Sequence, residues 1–391
     1  MSGKTFAYVG HWTVKAKEPN MGGITIYQYN ESDGTLTYVD TVRTDLCAGQ
    51  MCIDHRRGVL YAIDEAQNSP AFAMQGGGGR VVAFSIDRES GRLTELGAEQ
   101  PTFGTLTTYA ALDGRGEFLV VANHGDKQAI TKTARDPDGT YRVVTDFSEV
   151  NAVLYPLAGD GAVLPACDMI PFAPDRSQYP ARIACLHSVY FAHDGEHCIM
   201  TNMKQDQIMM LRVNREEKKL EICDVLDCPK GNWPRYGAFH PTRPLFYLNN
   251  EHGHEINVVR YSGDWKLEII QTVKTAPEGG YPKTPKAAAQ TEIRISADGR
   301  FVYNVIRGVH QATVLAVDKE TGLLELVQRI QLRGEGPRDF DISPDGRFLL
   351  IGNLESGEVS TVAVGADGLL TDSGVSDKHV QYPGAVYFYR S

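Results

Sequence analysis

The chain has 391 residues, 42% hydrophobic and 23% charged, with a formal net charge of −10 at pH 7. That acidic balance argues against non-specific binding to nucleic acid or to an anionic membrane, because both rest on basic patches. No stretch is apolar for long enough to cross a bilayer as a helix.

The N-terminus runs from Met1-Ser2-Gly3-Lys4 straight into Phe6-Ala7-Tyr8-Val9-Gly10, with no apolar signal segment between. The seven cysteines are odd in number and show neither CxxC pairs nor a zinc spacing; Cys185 and Cys198 sit in strand-like runs, as buried thiols do. A reducing cytoplasm is the expected setting. The Phe6–Gly10 segment reads as a β-strand without a local partner.

Two kinds of hairpin then alternate along the chain. One is clearest at Ser343-Pro344-Asp345-Gly346-Arg347, which leads into Phe348-Leu349-Leu350-Ile351-Gly352-Asn353. Copies stand at Asp54, Asp113, Ala192-His193-Asp194-Gly195, His240 and Ser296-Ala297-Asp298-Gly299. Each joins two β-rich segments through a polar turn, the signature of an antiparallel hairpin. The second kind begins at Ile24-Thr25-Ile26-Tyr27 and recurs after each copy of the first, ending at Thr361-Val362-Ala363 with Asp367-Gly368. The second kind numbers seven and the first only six. Ala385-Val386-Tyr387-Phe388-Tyr389 supplies the strand that Phe6–Gly10 lacks, completing seven four-strand units. With a period of roughly 50 residues, the expected fold is all-β: one seven-bladed β-propeller domain over residues 1–391, its ring closed by the C-terminal strand, which removes exposed sheet edges.

Three segments break the pattern. Gln67 to Gly79 ends in a four-glycine run that lacks the Lys-Ser/Thr of a phosphate-binding loop, so it reads as a flexible loop. About 126–150 is an insertion in the third blade, read as either a protruding hairpin or a partner contact. Phe172 to Pro180, bracketed by Pro171, Pro174 and Pro180, reads as a stiff cover.

In an antiparallel blade, the loop before the first strand and the loop after the second lie on one face, opposite the Ser-Pro-Asp-Gly-Arg turns. The turns are therefore structural, and chemistry is expected at the other face. His187, Arg235 and Arg338, with Gln290 and Thr291, precede first strands; Asp64, Glu65, Asn123, His124, Lys204, Glu251, Arg307 and Glu355 follow second strands. Arginine binds carboxylate or phosphate bidentately and can steady an oxyanion, glutamate can activate water, and histidine titrates near neutrality. The set fits water attack on an ester or lactone, or proton abstraction beside a carboxylate. Glu251-His252-Gly253-His254-Glu255 reads as a solvated turn rather than a metal cluster, so neither metal nor cofactor is expected.

Tyr8-Val9-Gly10 with Gly23-Ile24-Thr25-Ile26-Tyr27, Cys185-Leu186-His187-Ser188-Val189, Pro234-Arg235-Tyr236-Gly237-Ala238-Phe239-His240-Pro241 with Asn250-Glu251, and Pro337-Arg338-Asp339-Phe340 together resemble the seven-bladed lactonase family. That family includes propeller-type 6-phosphogluconolactonases and the fungal carboxy-muconate cyclase. The resemblance implies His187, Arg235, Glu251 and Arg307 as catalytic residues. In that reading Glu251 activates water, Arg235 and Arg307 hold the anionic part of the substrate and the oxyanion, and His187 protonates the leaving ring oxygen. Arg338, His124, Glu65 and His11 are expected at the substrate. Two of these mark departures from the family pattern: His11-Trp12 stands in the usual Tyr-Val-Gly-Thr-Tyr-Thr opening, and Asn123-His124 ends the third blade. Glu65 and Glu355 occupy the blade position of Glu251 without its role. The expected function is cofactor-free hydrolysis of a sugar lactone, 6-phosphogluconolactone being one candidate. The rivals are a cycloisomerase of a muconate-type substrate and a non-catalytic binding module.

Overall fold

The computed structural model describes residues 3–14, 21–67, 78–125, 129–175, 177, 182–281 and 287–391. Residues 68–77 of the glycine-rich loop, 126–128 of the insertion, and 176 and 178–180 of the proline-bracketed connection lie outside the described residues.

Seven antiparallel blades form the ring, each with four consecutively paired strands; the second blade carries an additional two-residue strand, Gln100–Pro101. Their innermost strands are, in ring order from blade one, Pro383–Arg390, Gln50–Asp54, Thr107–Leu112, Leu186–Phe191, Pro234–Phe239, Ala289–Ile295 and Pro337–Ile342. Neighbouring innermost strands pack against one another all the way round. Pro383–Arg390 pairs with Thr5–His11, placing Val386 opposite Val9 and Tyr389 opposite Phe6. The C-terminal strand thus closes the ring, as the hairpin count requires.

Second strands are covered by neighbouring blades on both faces: Val59–Asp64, Phe118–Asn123, His197–Asn202, Leu245–Asn250 and Phe348–Asn353 bury every residue, and Phe301–Arg307 buries all but its two ends. Outermost strands have one wet face and alternate, as Leu324–Gln331 does. In the repeated turn, Ser343 Oγ donates to Asp345 Oδ1 at 2.7 Å, Phe348 N donates to Ser343 Oγ at 3.0 Å, and Gly346 takes φ 73°. The turn satisfies its own polar groups, and only glycine reaches that φ without strain. The motif repeats because it folds the blade.

An innermost strand has one edge with no strand beside it, and its backbone groups need partners. Side chains supply several of them across blade boundaries. Thr108 Oγ1 donates to Leu186 O (2.9 Å), Ser188 Oγ to Arg235 O (2.7 Å) and Thr291 Oγ1 to Pro337 O (2.9 Å). At the closure, Val386 N donates to Asp339 Oδ2 (3.0 Å), and Phe388 N donates to Asp341 Oδ2 (2.9 Å).

The insertion is a hairpin, Ala129–Arg135 paired with Tyr141–Phe147 as a separate two-stranded sheet. Among the described residues no helix is long and apolar enough to cross a membrane.

Candidate active site

Each innermost strand in blades four to seven opens with a β-bulge, where pairing with the second strand is interrupted. The interruptions fall between Leu186 and Val189, Pro234 and Gly237, Gln290 and Ile293, and Pro337 and Asp339. A bulge breaks the strict alternation of side chains and re-aims them. His187, Arg235 and Arg338 all lie within these irregularities. Strict alternation would put Arg235 and Tyr236 on opposite faces, yet the Arg235 guanidinium lies 4.5 Å from the Tyr236 ring centroid. Tyr236 in turn meets His187 edge to face at 4.8 Å. Tyr236 is a site residue that the sequence does not reveal, because nothing in the run Pro-Arg-Tyr-Gly announces a bulge.

Two arginine–glutamate arrangements stand at the mouth. In the first, Glu251 Oε1 accepts from Arg307 Nη2 at 2.6 Å, and Glu251 Oε2 lies 3.0 Å from Arg235 Nε. The second contact is ionic rather than hydrogen-bonded: Arg235 Nε and Nη1 are buried without a hydrogen-bond partner. In the second arrangement, Glu65 Oε2 accepts from the Trp12 indole at 2.6 Å and lies 3.4 Å from Arg338 Nη2. The Arg338 guanidinium also stacks 4.2 Å above Trp12, and its Nε is buried without a hydrogen-bond partner. Buried donors are nearly always paired. Three unspent guanidinium N–H groups at one mouth suit a substrate's oxygens.

Burial and position set the charges. Burial is the main force lowering the His187 proton affinity well below the usual histidine range, and Arg235, His124, Arg338 and Arg307 add to it, so the ring is neutral. Burial raises the proton affinity of Glu251, but Arg235 and Arg307 outweigh it and hold the carboxyl below its usual range. For Glu65 burial prevails over Arg338 and Trp12, and the carboxyl sits above its usual range. Arg307 is lowered by burial, against the pull of Glu251. With 34% of its side chain exposed, against 2% for Arg235 and 9% for Arg338, it is the arginine nearest the outside.

The structure brings together seven of the eight expected residues. His124 lies 6.2 Å from His187, ring to ring, with its Nδ1 2.9 Å from Gly125 O. His11 is the correction: Nδ1 lies 3.2 Å from Met21 O, Nε2 lies 2.8 Å from Thr25 Oγ1, and the residue is only 4% exposed. Both nitrogens are occupied inside blade one, which leaves none for a substrate. Its role is in the blade's stability. Burial lowers its pKa to about 4, so the stabilisation from holding it neutral is complete above about pH 6.5 and is lost as pH falls through about 4, a span worth roughly 3 kcal/mol. Chemical unfolding at about pH 7.5 and about pH 4.5 should show His11→Gln losing less stability on acidification than wild type by an amount of that order. Equal losses would refute this account.

The opposite end of the channel holds a cavity of about 840 Å³ lined by Tyr190, Arg294, Asp341 and the repeated turns. Its charges are mostly spent on one another: Arg300 pairs with Asp298 at 2.6 Å and Arg347 with Asp345 at 2.7 Å. His252 lies in the turn after Leu245–Asn250, and its ring packs on Trp233 at 4.3 Å.

The description "Lactonase, 7-bladed beta-propeller" belongs to the family model that matches residues 6–388. The chain belongs to that family. Within the lactonase family it is 24% identical over 358 residues to a 6-phosphogluconolactonase of Formosa agariphila, covering 90% of each chain. A 6-phosphogluconolactonase of Erwinia tasmaniensis is 27% identical over 359 residues, covering 91% of this chain and 92% of the relative. Among solved structures, the periplasmic gluconolactonase of Pseudomonas aeruginosa superposes with a TM-score of 0.82 at 25% identity, covering 99% of both chains.

Proposed function

We propose that this protein hydrolyses a sugar lactone at the mouth formed by His187, Arg235, Glu251, Arg307 and Arg338. The observation that carries the proposal is Arg235: a fully buried guanidinium, steadied by Glu251 and Tyr236, that keeps two N–H groups unspent. Such preorganised donors lose little in reorganisation when negative charge develops on a carbonyl oxygen. The relatives named as lactonases support the same reading and favour neither the cycloisomerase nor the binding module.

Arg235 and Arg338 hold the carbonyl oxygen as it becomes an oxyanion. His187 acts as a hydrogen-bond donor. Its Nδ1 is buried without a partner, and a buried lone pair is tolerated better than a buried N–H, so the proton sits on Nε2, directed at the substrate. This changes the part expected from the sequence: a ring held neutral donates a hydrogen bond to the oxygen rather than delivering a proton from an imidazolium. Arg307, the most exposed of the three arginines, receives the distal part of the substrate, which in 6-phosphogluconolactone is the phosphate. The cytoplasmic setting that we propose agrees with a phosphorylated sugar lactone as substrate.

The test is lactone opening by purified protein, with δ-gluconolactone and 6-phosphogluconolactone compared after subtracting spontaneous hydrolysis. Turnover of at least one is expected. A preference for the phosphorylated lactone that Arg307→Ala removes would place the phosphate at Arg307, and an unchanged preference would remove it from there. No turnover of either would overturn the reading.

A further inference from the structure

We propose that Glu65, rather than Glu251, takes the proton from the attacking water. The inference rests on the lactonase reading above and assigns one step within it.

Glu65 and Glu251 occupy the same place in their blades. Each immediately follows the second strand, Val59–Asp64 in one case and Leu245–Asn250 in the other. Each faces an arginine that follows a proline, in Pro337-Arg338 and Pro234-Arg235. Blade position alone therefore prefers neither, and the role expected for Glu251 rested on the family resemblance.

Their oxygens are used differently. Glu251 has a guanidinium against each oxygen, Oε1 hydrogen-bonded to Arg307 at 2.6 Å and Oε2 in ionic contact with Arg235 at 3.0 Å. A carboxylate gripped by two guanidiniums is a poor acceptor for a further proton, and its ordinary task is to hold those guanidiniums in place. Glu65 commits only Oε2, which takes the Trp12 indole at 2.6 Å and the longer contact to Arg338 at 3.4 Å. Its Oε1 accepts no hydrogen bond among the described residues. One oxygen is anchored and the other is left for water.

The anchoring is specific to this pocket. A Cβ at position 49 would lie 2.5 Å from Glu65 Oε2 and 2.9 Å from Trp12, so Gly49 is what admits the carboxylate and the indole together. The charged and titratable groups facing Glu65 are Arg338 from blade seven, Arg235 from blade five, Cys47 from the preceding loop and Asp64 from its own strand. Asp64 is already held by Arg80 at 2.8 Å. Arg235 and Arg338 also bear on His187, so Glu65 and the neutral imidazole address one chamber. The raised proton affinity of Glu65 agrees with the assignment, because a base is most effective when its pKa approaches the working pH.

The step balances. Glu65 Oε1 takes a proton from water as the water oxygen bonds to the lactone carbonyl carbon, and the carbonyl electron pair moves onto its oxygen, held by Arg235 and Arg338. As the intermediate collapses, the bond to the ring oxygen breaks and that oxygen receives the proton from Glu65. The product acid then releases one proton to solvent.

The experiment measures kcat/KM against pH on whichever gluconolactone the wild type opens, for wild type, Glu65→Gln and Glu251→Gln. Wild type should show an acidic limb that rises through a pKa above the usual glutamate value. Glu65→Gln, whose amide oxygen still accepts from Trp12, should lose about 10²- to 10⁴-fold in rate and lose the limb. Glu251→Gln should slow the reaction but keep the limb. Glu65→Ala with added formate should recover part of the rate, a rescue that a merely structural glutamate would not show. Far-UV circular dichroism and melting of each variant serve as the folding check. A Glu65→Gln protein that keeps both rate and limb, or a limb that disappears in Glu251→Gln instead, would overturn the assignment while leaving the lactonase reading intact. Wild type that opens neither lactone would overturn both.

Discussion

Arg235→Ala should lower kcat/KM for lactone opening by about 10²- to 10³-fold, the range seen when one preorganised oxyanion donor is removed. The substitution deletes a guanidinium that is 2% exposed, lies 3.0 Å from Glu251 and stacks 4.5 Å from the Tyr236 ring. It also leaves Glu251 in a largely buried site with Arg307 as its remaining close partner, and breaking a buried pair from one side costs about 3 to 5 kcal/mol. The alanine variant is therefore expected to be both slower and less stable. Arg235→Lys separates the two effects. Lysine restores a positive charge beside Glu251 but lacks the planar fork and the stacking surface, so it should recover part of the stability while the rate stays low. Steady-state kinetics together with denaturant unfolding make the comparison. A lysine variant with wild-type kcat/KM would show that charge alone is needed at this position and that the unspent N–H groups of Arg235 play no part.

His187→Ala is expected to lower kcat/KM by about 10²-fold or more, again the cost of one well-aimed donor, and His187→Gln should recover some of that because its amide also donates. The pH dependence is the sharper test. Because burial and the surrounding arginines keep the imidazole neutral well below its usual pKa, it has no charge to gain or lose between about pH 6 and about pH 8. The rate profile of His187→Gln should then run parallel to that of wild type across this interval, lower but of the same shape. If wild type shows a limb near pH 6.5 that the glutamine variant lacks, the ring titrates during catalysis and the neutral-donor role fails.

Much of this was legible in the residues. The mismatch between seven hairpins of one kind and six of the other demanded a strand from the other end, and Pro383–Arg390 supplies it. The geometry of an antiparallel blade separated the self-satisfying Ser-Pro-Asp-Gly-Arg turns from the residues at the opposite face, and that face gathers His187, Arg235, Glu251, Arg307 and Arg338. What sequence could not show was the fate of individual atoms. The departure from the family's opening at His11-Trp12 points His11 to the substrate, but Met21 O and Thr25 Oγ1 draw it into the blade. Tyr236 went unread because a bulge, invisible in composition, turns it toward His187.

By itself, then, the sequence determined the number of blades, the closure of the ring and the set of side chains delivered to one mouth. These follow from local rules: period-two alternation, turn chemistry and the need to pair every strand edge. The tertiary structure decided which partner each polar atom keeps, and through that which carboxylate holds arginines and which has an oxygen to spare. Glu65 and Glu251 hold equivalent places in their blades, yet Glu65 meets Trp12 of blade one and Arg338 of blade seven, while Glu251 meets Arg235 of its own blade and Arg307 of blade six. Apart from Arg235–Glu251, those contacts cross from one blade to another, and the ring fixes the distances between them.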